Sequence, residues 1–277
     1  MSILKSRRSS AKASVAIAAT FALAFASLAA AEVTQDGNLR VSFEGGIAPH
    51  ALPRQGTAPV RVTLTGNIKT TDGAAPPQLR TIEMAINKSG KLDYKGLPAC
   101  HYHQIQPAST AEAIETCPDS VIGKGKFQAN VVLPEQSPFP SSGAVIAFNG
   151  IFHGRHVVFA HVYGTDPLPQ SNVLVFELGR TSGLYRTTFT AQLPQVAAEW
   201  GYVSGVSLSL KRTFLFKGRT KSYLSAGCPA PAGFPGATFS FAKATFGFED
   251  GRSLTSTMTR SCKTESTQQP KPSKRKQ

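Results

Sequence analysis

Carboxylates are scarce in this chain. Its 277 residues hold 16 aspartates and glutamates against 30 lysines and arginines, a formal charge of +14. A glycosidase needs two acids on facing strands, and only Glu177 (in VLVFEL) and Glu199 (beside Trp200) lie in apolar surroundings. There is one tryptophan, and cysteine is limited to four positions. Amphipathic helix patterning is almost absent, which argues against helix bundles and doubly wound sheets. After Leu28 no apolar run is long enough to span a bilayer. The Gly-x-Ser-x-Gly elbow is missing, because GYVSG (201–205) has its serine one place late. The GxG of VIGKGKF (121–127) enters a strand and not a helix, so it lacks the context of a phosphate loop. No cofactor is expected.

The N-terminus has the layout of a secretory signal peptide over 1–31. Lys5, Arg7, Arg8 and Lys12 precede the apolar run Val15–Leu28, and Ala29-Ala30-Ala31 supplies small residues for cleavage before Glu32. No cysteine lies near that point to carry a lipid, and no transmembrane segment is expected in the mature chain. Those four positives leave with the leader, taking +14 to +10. The segment from Lys263 carries five basic residues and Glu265, so the body over 32–262 holds about +6. These cations are scattered and not striped with aromatics, which argues against nucleic acid. Residues 263–277 read as a disordered basic tail, available as a tether to anionic cell-envelope polymers. Secretion or display at the cell surface follows.

Export places Cys100, Cys117, Cys228 and Cys262 in an oxidising compartment, where an even count reads as disulfides. Three pairings are possible. Sequence proximity favours Cys100–Cys117 and Cys228–Cys262, worth roughly 3 and 4 kcal/mol in the chain-entropy model.

Period-two alternation dominates the mature chain, as in PVRVTLTGN (59–67) and LYRTTFTAQL (184–193), with turn chemistry between strands. VVFAHV (157–162) and VLVFEL (173–178) are apolar throughout and read as strands covered on both faces. The expected fold is all-β: one antiparallel β-sandwich over 32–262, or a partly closed barrel, with one short helix pinned by a disulfide. Parity selects a three-residue loop, Glu249-Asp250-Gly251, that pairs Phe246 with Leu254 and gives Gly251 the left-handed position. Phe239 and Phe241 have the opposite parity to Ala242–Phe248, which calls for a bulge near Ala242. Ser109 to Glu112 matches a capping box opening a helix over 110–116 that Pro118 stops.

Two histidine groups invite chemistry. His101 and His103, two apart on an expected strand, would share a face. They need a third ligand that oxidised cysteines cannot supply, so a disulfide-bounded surface element is the better reading. In HGRHVVFAH (153–161), His156 and His161 point to opposite faces. His161 reads as a hydrogen-bonded core histidine and His153 as a turn residue. No metal site is assigned. A candidate binding patch is built from Phe139 in LPEQSPFPSSG and from Tyr223 and Phe234 in YLSAGCPAPAGFPGATF, if those loops share one end of the fold.

The combination of LPACHYHQIQPASTAEAIETC, LPEQSPFPSSG and YLSAGCPAPAGFPGATF resembles a group of secreted β-rich proteins of high-GC bacteria that has no assigned activity. The resemblance spans roughly 38–262 and implies a shared architecture and export, with no catalytic residues to carry over. The functional expectation is a non-catalytic binding or scaffolding protein at the cell envelope. The alternative is an exported hydrolase, metal-dependent or not, with a site where two or more histidines meet a carboxylate or a serine.

Overall fold

A computed structural model describes residues 32–166, 168–193 and 201–265. The expected leader, the tail from 266, and Glu199 with Trp200 lie outside them. Seven strands come first: β1 (Glu32–Asp36), β2 (Leu39–Ala48), β3 (Ala51–Leu52), β4 (Ala58–Pro59), β5 (Arg61–Thr70), β6 (Leu79–Asn87) and β7 (Gly90–Leu92). The short β8 (Cys100–His101) leads into helices α1 (Tyr102–Ile105) and α2 (Thr110–Thr116). The long central strands are β9 (Val121–Val131), β10 (Phe139–Phe152), β11 (Arg155–Gly164), β12 (Gln170–Arg180), β13 (Tyr185–Gln192) and β14 (Gly201–Leu210). A hairpin of β15 (Thr213–Phe216) and β16 (Arg219–Ser222) follows, then β17 (Leu224–Ala226), β18 (Gly236–Phe248) and β19 (Ser253–Thr264).

Fourteen of these strands form one sheet, ordered β1-β2-β5-β14-β9-β10-β11-β12-β13-β6-β18-β19-β3, with β8 beside β10. Its pairings are antiparallel except those of β8 with β10 and β3 with β19. The sheet curls until β19 meets β1. No backbone ladder joins those two strands; side chains bridge them. Thr34 Oγ1 donates to the Thr255 carbonyl at 3.0 Å, and the Thr259 amide donates to Glu32 Oε1 at 3.0 Å. Of the two all-β architectures expected, the partly closed barrel is the one formed. Two small ladders, β15 with β16 and β4-β17-β7, sit outside the main sheet.

Alternation explains the interior. Along β19 every second residue from Leu254 to Cys262 is buried, and Leu39, Val41 and Phe43 of β2 do the same across the barrel. The expected loop is present: Phe246 lies opposite Leu254, the Phe248 amide donates to the Arg252 carbonyl, and Gly251 has φ 86°. The register also slips between Ser240 and Ala242, where the parity of Phe239 and Phe241 demanded a bulge. A second, smaller core lies outside the barrel. There Ile105 and Ala113 of the helices pack on Phe148, Val157 and Phe159, which is why the β11 run is apolar on both faces. Phe159 lies across Gly150, where a Cβ would sit 2.3 Å from its ring.

The capping box is as expected. Glu112 donates its amide to Ser109 Oγ at 3.3 Å, and its carboxylate accepts from the Ser109 amide at 2.7 Å. The Ser109 amide, helped by the Ser109 hydroxyl, holds the Glu112 carboxyl below its ordinary range. Helix α1 is a correction to the single short helix expected: its one turn is too short to leave a periodic signature.

Strand register defines two ends. Gly143 lies opposite Gly164, and Gly164 opposite Gln170, so the β9–β10 and β11–β12 loops share one end. Gln192 lies opposite Thr81 and Phe248 opposite Leu79, which brings the β18–β19 turn to the same end. The opposite end carries the β10–β11 and β12–β13 turns, the outlying hairpin and both disulfides, since Cys100 faces Gly150 near the end of β10 and Cys262 faces Ala237 near the start of β18. We call it the staple end.

Candidate functional site

The four cysteines form Cys100–Cys117 and Cys228–Cys262, with Cα separations of 5.8 and 5.7 Å, inside the range a disulfide requires. Their sulfurs are therefore unavailable as metal ligands. The first bond ties β8 to the end of α2; the second ties the Pro-rich 227–235 loop to β19.

The histidines do not converge. His101 and His103 are both exposed, with stacked rings 5.8 Å apart, but His103 belongs to α1 and not to a strand. His153 occupies the β10–β11 turn at φ 48° beside Gly154 and packs on Phe152 at 4.0 Å. His156 stacks on Tyr94 at 4.0 Å, on the barrel side of β11. His161 is buried on the other face. Among the described residues no group of three or more His, Cys, Asp or Glu side chains is placed to hold a metal.

His161 is where the sequence left most room for chemistry. Its Nε2 lies 3.0 Å from the Ala108 carbonyl and 3.2 Å from Ser171 Oγ. Ser171 Oγ also donates to Gln106 Oε1 at 3.3 Å, while Gln106 Nε2 donates to the Ser171 carbonyl at 3.1 Å. A serine beside a histidine suggests a nucleophile and its base, but the proton placement opposes it. The carbonyl can only accept, so the network assigns the proton to Nε2. Nδ1 is buried with no partner. A catalytic histidine needs the reverse: a bare Nε2 toward the serine and an Nδ1–H held by a third group. The network instead joins the 106–108 linker between the helices to β11 and β12. Gln106 and Ser171 carry no sequence signal for this task, since neither sits in a motif.

Desolvation pushes the His161 pKa below its ordinary value, with the Ala108 carbonyl opposing. The unfolded histidine titrates near about 6.5. Below that pH the unfolded chain binds a proton that the native state refuses until its lower pKa is reached, so acid costs stability in that window, by at most about 1.4 kcal/mol per pH unit. His161→Gln keeps a donor for Ala108 and does not titrate. Urea midpoints at pH 7 and pH 5 should differ less in that variant than in the wild type; an unchanged difference rejects His161 as the titrating group.

The candidate aromatic patch needs correcting in two respects. Tyr223 is only 1% exposed. Its amide donates to the Arg212 carbonyl at 2.8 Å and its carbonyl accepts from the Asp93 amide at 2.9 Å, which holds the ring inside the barrel. Burial pushes its phenol pKa upward. Phe139, half-buried, and Phe234, exposed, lie at opposite ends, so they cannot make one surface. The Tyr223 hydroxyl has no partner. Tyr223→Phe removes an unsatisfied group and should leave stability unchanged or raise it by up to about 1 kcal/mol, read from denaturation midpoints; a loss of that size would mean the hydroxyl is bonded.

What the two ends do differ in is charge. Asp36, Asp72, Glu135, Asp166, Glu249 and Asp250 lie at the end opposite the staples, where Glu249 and Asp250 are paired with Arg80 and Arg252. The staple end carries Lys88, Lys91, Lys95, Arg180, Lys217 and Arg219, all exposed. Of its acids, Asp93 and Asp119 are paired, with Lys221 at 3.1 Å and Arg212 at 3.2 Å, while Glu115 and Glu265 are exposed there and are outnumbered by these cations. Residues 211–222, KRTFLFKGRTKS, hold five cations and no acid, a local concentration that the whole-chain average conceals. Glu177 is exposed on β12, where no second carboxylate is shown facing it; Glu199 lies outside the described residues. No helix among the described residues is long and apolar enough to cross a membrane. Compared with known proteins, the chain matches no family model, no curated protein and no solved structure.

Proposed function

We propose that this is an exported binding or scaffolding protein of the cell envelope, built on a stapled barrel and acting without catalysis. The observation that carries the reading is the gathering of both disulfides and a cluster of exposed cations at one end of the barrel. Disulfides persist in oxidising compartments, in keeping with the leader-like 1–31. An end with more exposed cations than acids fits anionic envelope components on such a protein, and the basic tail follows Glu265, whose amide is bonded to the Leu52 carbonyl at that same end. The hydrolase reading has one observation on its side, the 3.2 Å approach of Ser171 to His161, and the tautomer opposes it. The kinship with secreted β-rich proteins of high-GC bacteria belongs to the same proposal.

The test is retention of the mature protein on isolated cell-wall and membrane fractions at low and high salt. Retention that falls with salt supports the reading. No retention on either fraction at low salt rejects it.

A further inference from the structure

We propose that the staple end docks on an anionic lipid surface, its exposed apolar loop tips entering the interface and its cations meeting the headgroup phosphates. The inference rests on the envelope-binding reading above and names its partner.

Three large apolar side chains project from this end: Leu215 at 72% exposure, Phe234 at 60% and Leu184 at 48%. Leu184 and Phe234 sit in loops, and Leu215 lies on the outlying β15–β16 hairpin, off the main sheet. Backbone bonds join their bases into one platform. The Leu184 carbonyl accepts from the Lys88 amide at 3.0 Å; the Ser89 carbonyl accepts from Gly227 at 3.0 Å; the Pro53 carbonyl accepts from Cys228 at 2.9 Å. Arg54 then grips the Phe234 loop, donating to the carbonyls of Ala230, Pro231 and Phe234. With the disulfide at Cys228 and prolines at 231 and 235, that loop displays Phe234 at little further ordering cost. The Leu215 hairpin is anchored too. Phe216 packs where a Gly96 side chain would stand, and the Asp93–Tyr223–Arg212 backbone bonds fix its base.

Cations flank each of two tips. Lys88, Arg180 and Arg186 surround the Leu184 turn, and Lys217 and Arg219 follow Leu215. Lys217 has φ 52° and Gly218 φ 72°, a two-residue turn that Asn-Gly fills at lower cost; here the charge is kept at the tip. The far end offers a contrast. Leu168 is 73% exposed there, but its neighbour is Asp166, which an anionic surface repels. Apolar tips on a cationic end suit the headgroup boundary, where apolar burial and charge contribute separately. A hydrophilic polyanion would use the cations and gain nothing from Leu215 or Phe234.

The experiment is cosedimentation of the full mature chain with phosphatidylcholine vesicles, with and without phosphatidylglycerol, and separately a binding assay with inorganic polyphosphate. Binding to the phosphatidylglycerol vesicles is expected. Leu215→Ser with Phe234→Ser should weaken it by about tenfold or more while leaving the thermal midpoint in place, both side chains being exposed. Lys217→Gln with Arg219→Gln should weaken it by several-fold, and more at low salt. Leu168→Ser should have no effect. Glutamine at Lys271, Lys274, Arg275 and Lys276 separates the tail. The inference is overturned by no vesicle binding, by vesicle binding indifferent to Leu215 and Phe234, by loss in the tail variant alone, or by polyphosphate binding that matches or exceeds the vesicle binding. Retention on cell-wall fractions without vesicle binding removes this inference and leaves the broader one standing.

Discussion

Cys228→Ala with Cys262→Ala lowers the unfolding free energy by about 4 kcal/mol in the chain-entropy model for a loop of 34 residues. The corresponding change at Cys100 and Cys117, with a separation of 17, costs about 3 kcal/mol. Alanine is the right replacement because all four cysteines are buried, and serine would add an unsatisfied hydroxyl. The two losses should also differ in kind. Cys262 sits in β19 at the barrel seam and Cys228 belongs to the main core, so its removal acts on the whole barrel. Cys100 and Cys117 belong to the outer core under the helices, so their removal should first loosen 100–120 and leave the barrel strands protected. Denaturation midpoints give the sizes, and hydrogen exchange gives the locations. A Cys228/Cys262 variant as stable as the wild type would mean that the loop is held by Arg54 and the Pro53–Cys228 bond alone.

What was legible in the sequence follows from how far each signal reaches. Parity along a strand is local, so the turn at Glu249–Gly251 and the bulge before Ala242 could be derived without any coordinates. A capping box needs four residues, so α2 could be read from Ser109 and Glu112. Neighbouring cysteines limit the pairing by proximity. Closure is a different matter: whether fourteen strands stack as two sheets or curl into one depends on accumulated twist and on the meeting of β1 with β19, more than 200 residues apart. The aromatic patch failed for the same reason. Phe139 and Phe234 sit in similar Pro-rich loops, yet the ends those loops occupy are fixed by the order of strands and not by their composition. Tyr223 looked exposed because prolines and glycines follow it, whereas two backbone bonds draw it into the core. The charge of 211–222 was visible throughout, but its meaning depends on which end of the barrel the hairpin occupies.

Arg260→Ala should cost about 2–3 kcal/mol and open the barrel at its seam. Arg260 is a buried cation joining three strands. Its Nη1 lies 2.9 Å from Glu32 Oε1 on β1, and its Nε donates to the Gly45 carbonyl on β2. No ladder links β19 to either strand, so this guanidinium does what backbone bonds do elsewhere. Truncation strands the Glu32 carboxylate and leaves the Gly45 carbonyl without that donor. A fully buried pair broken this way costs about 3–5 kcal/mol. The Glu32 side chain is a quarter exposed, so water recovers part of that, and the Thr259 amide still reaches its Oε1. Arg260→Lys should restore only a fraction, because an ammonium cannot serve Glu32 and Gly45 through one planar fork. A double-mutant cycle with Glu32→Gln should show a coupling above about 1 kcal/mol. The amides of Thr255 to Thr259 should exchange faster in Arg260→Ala, since strands at an open seam are exposed edges, and the variant should aggregate more readily for the same reason. Unchanged exchange there would assign closure to Thr34 and the apolar interior. A chain that begins at Glu32 keeps the anion, whereas one that begins at Val33 lacks it, so the same measurements on the shorter chain should reproduce the Arg260→Ala phenotype.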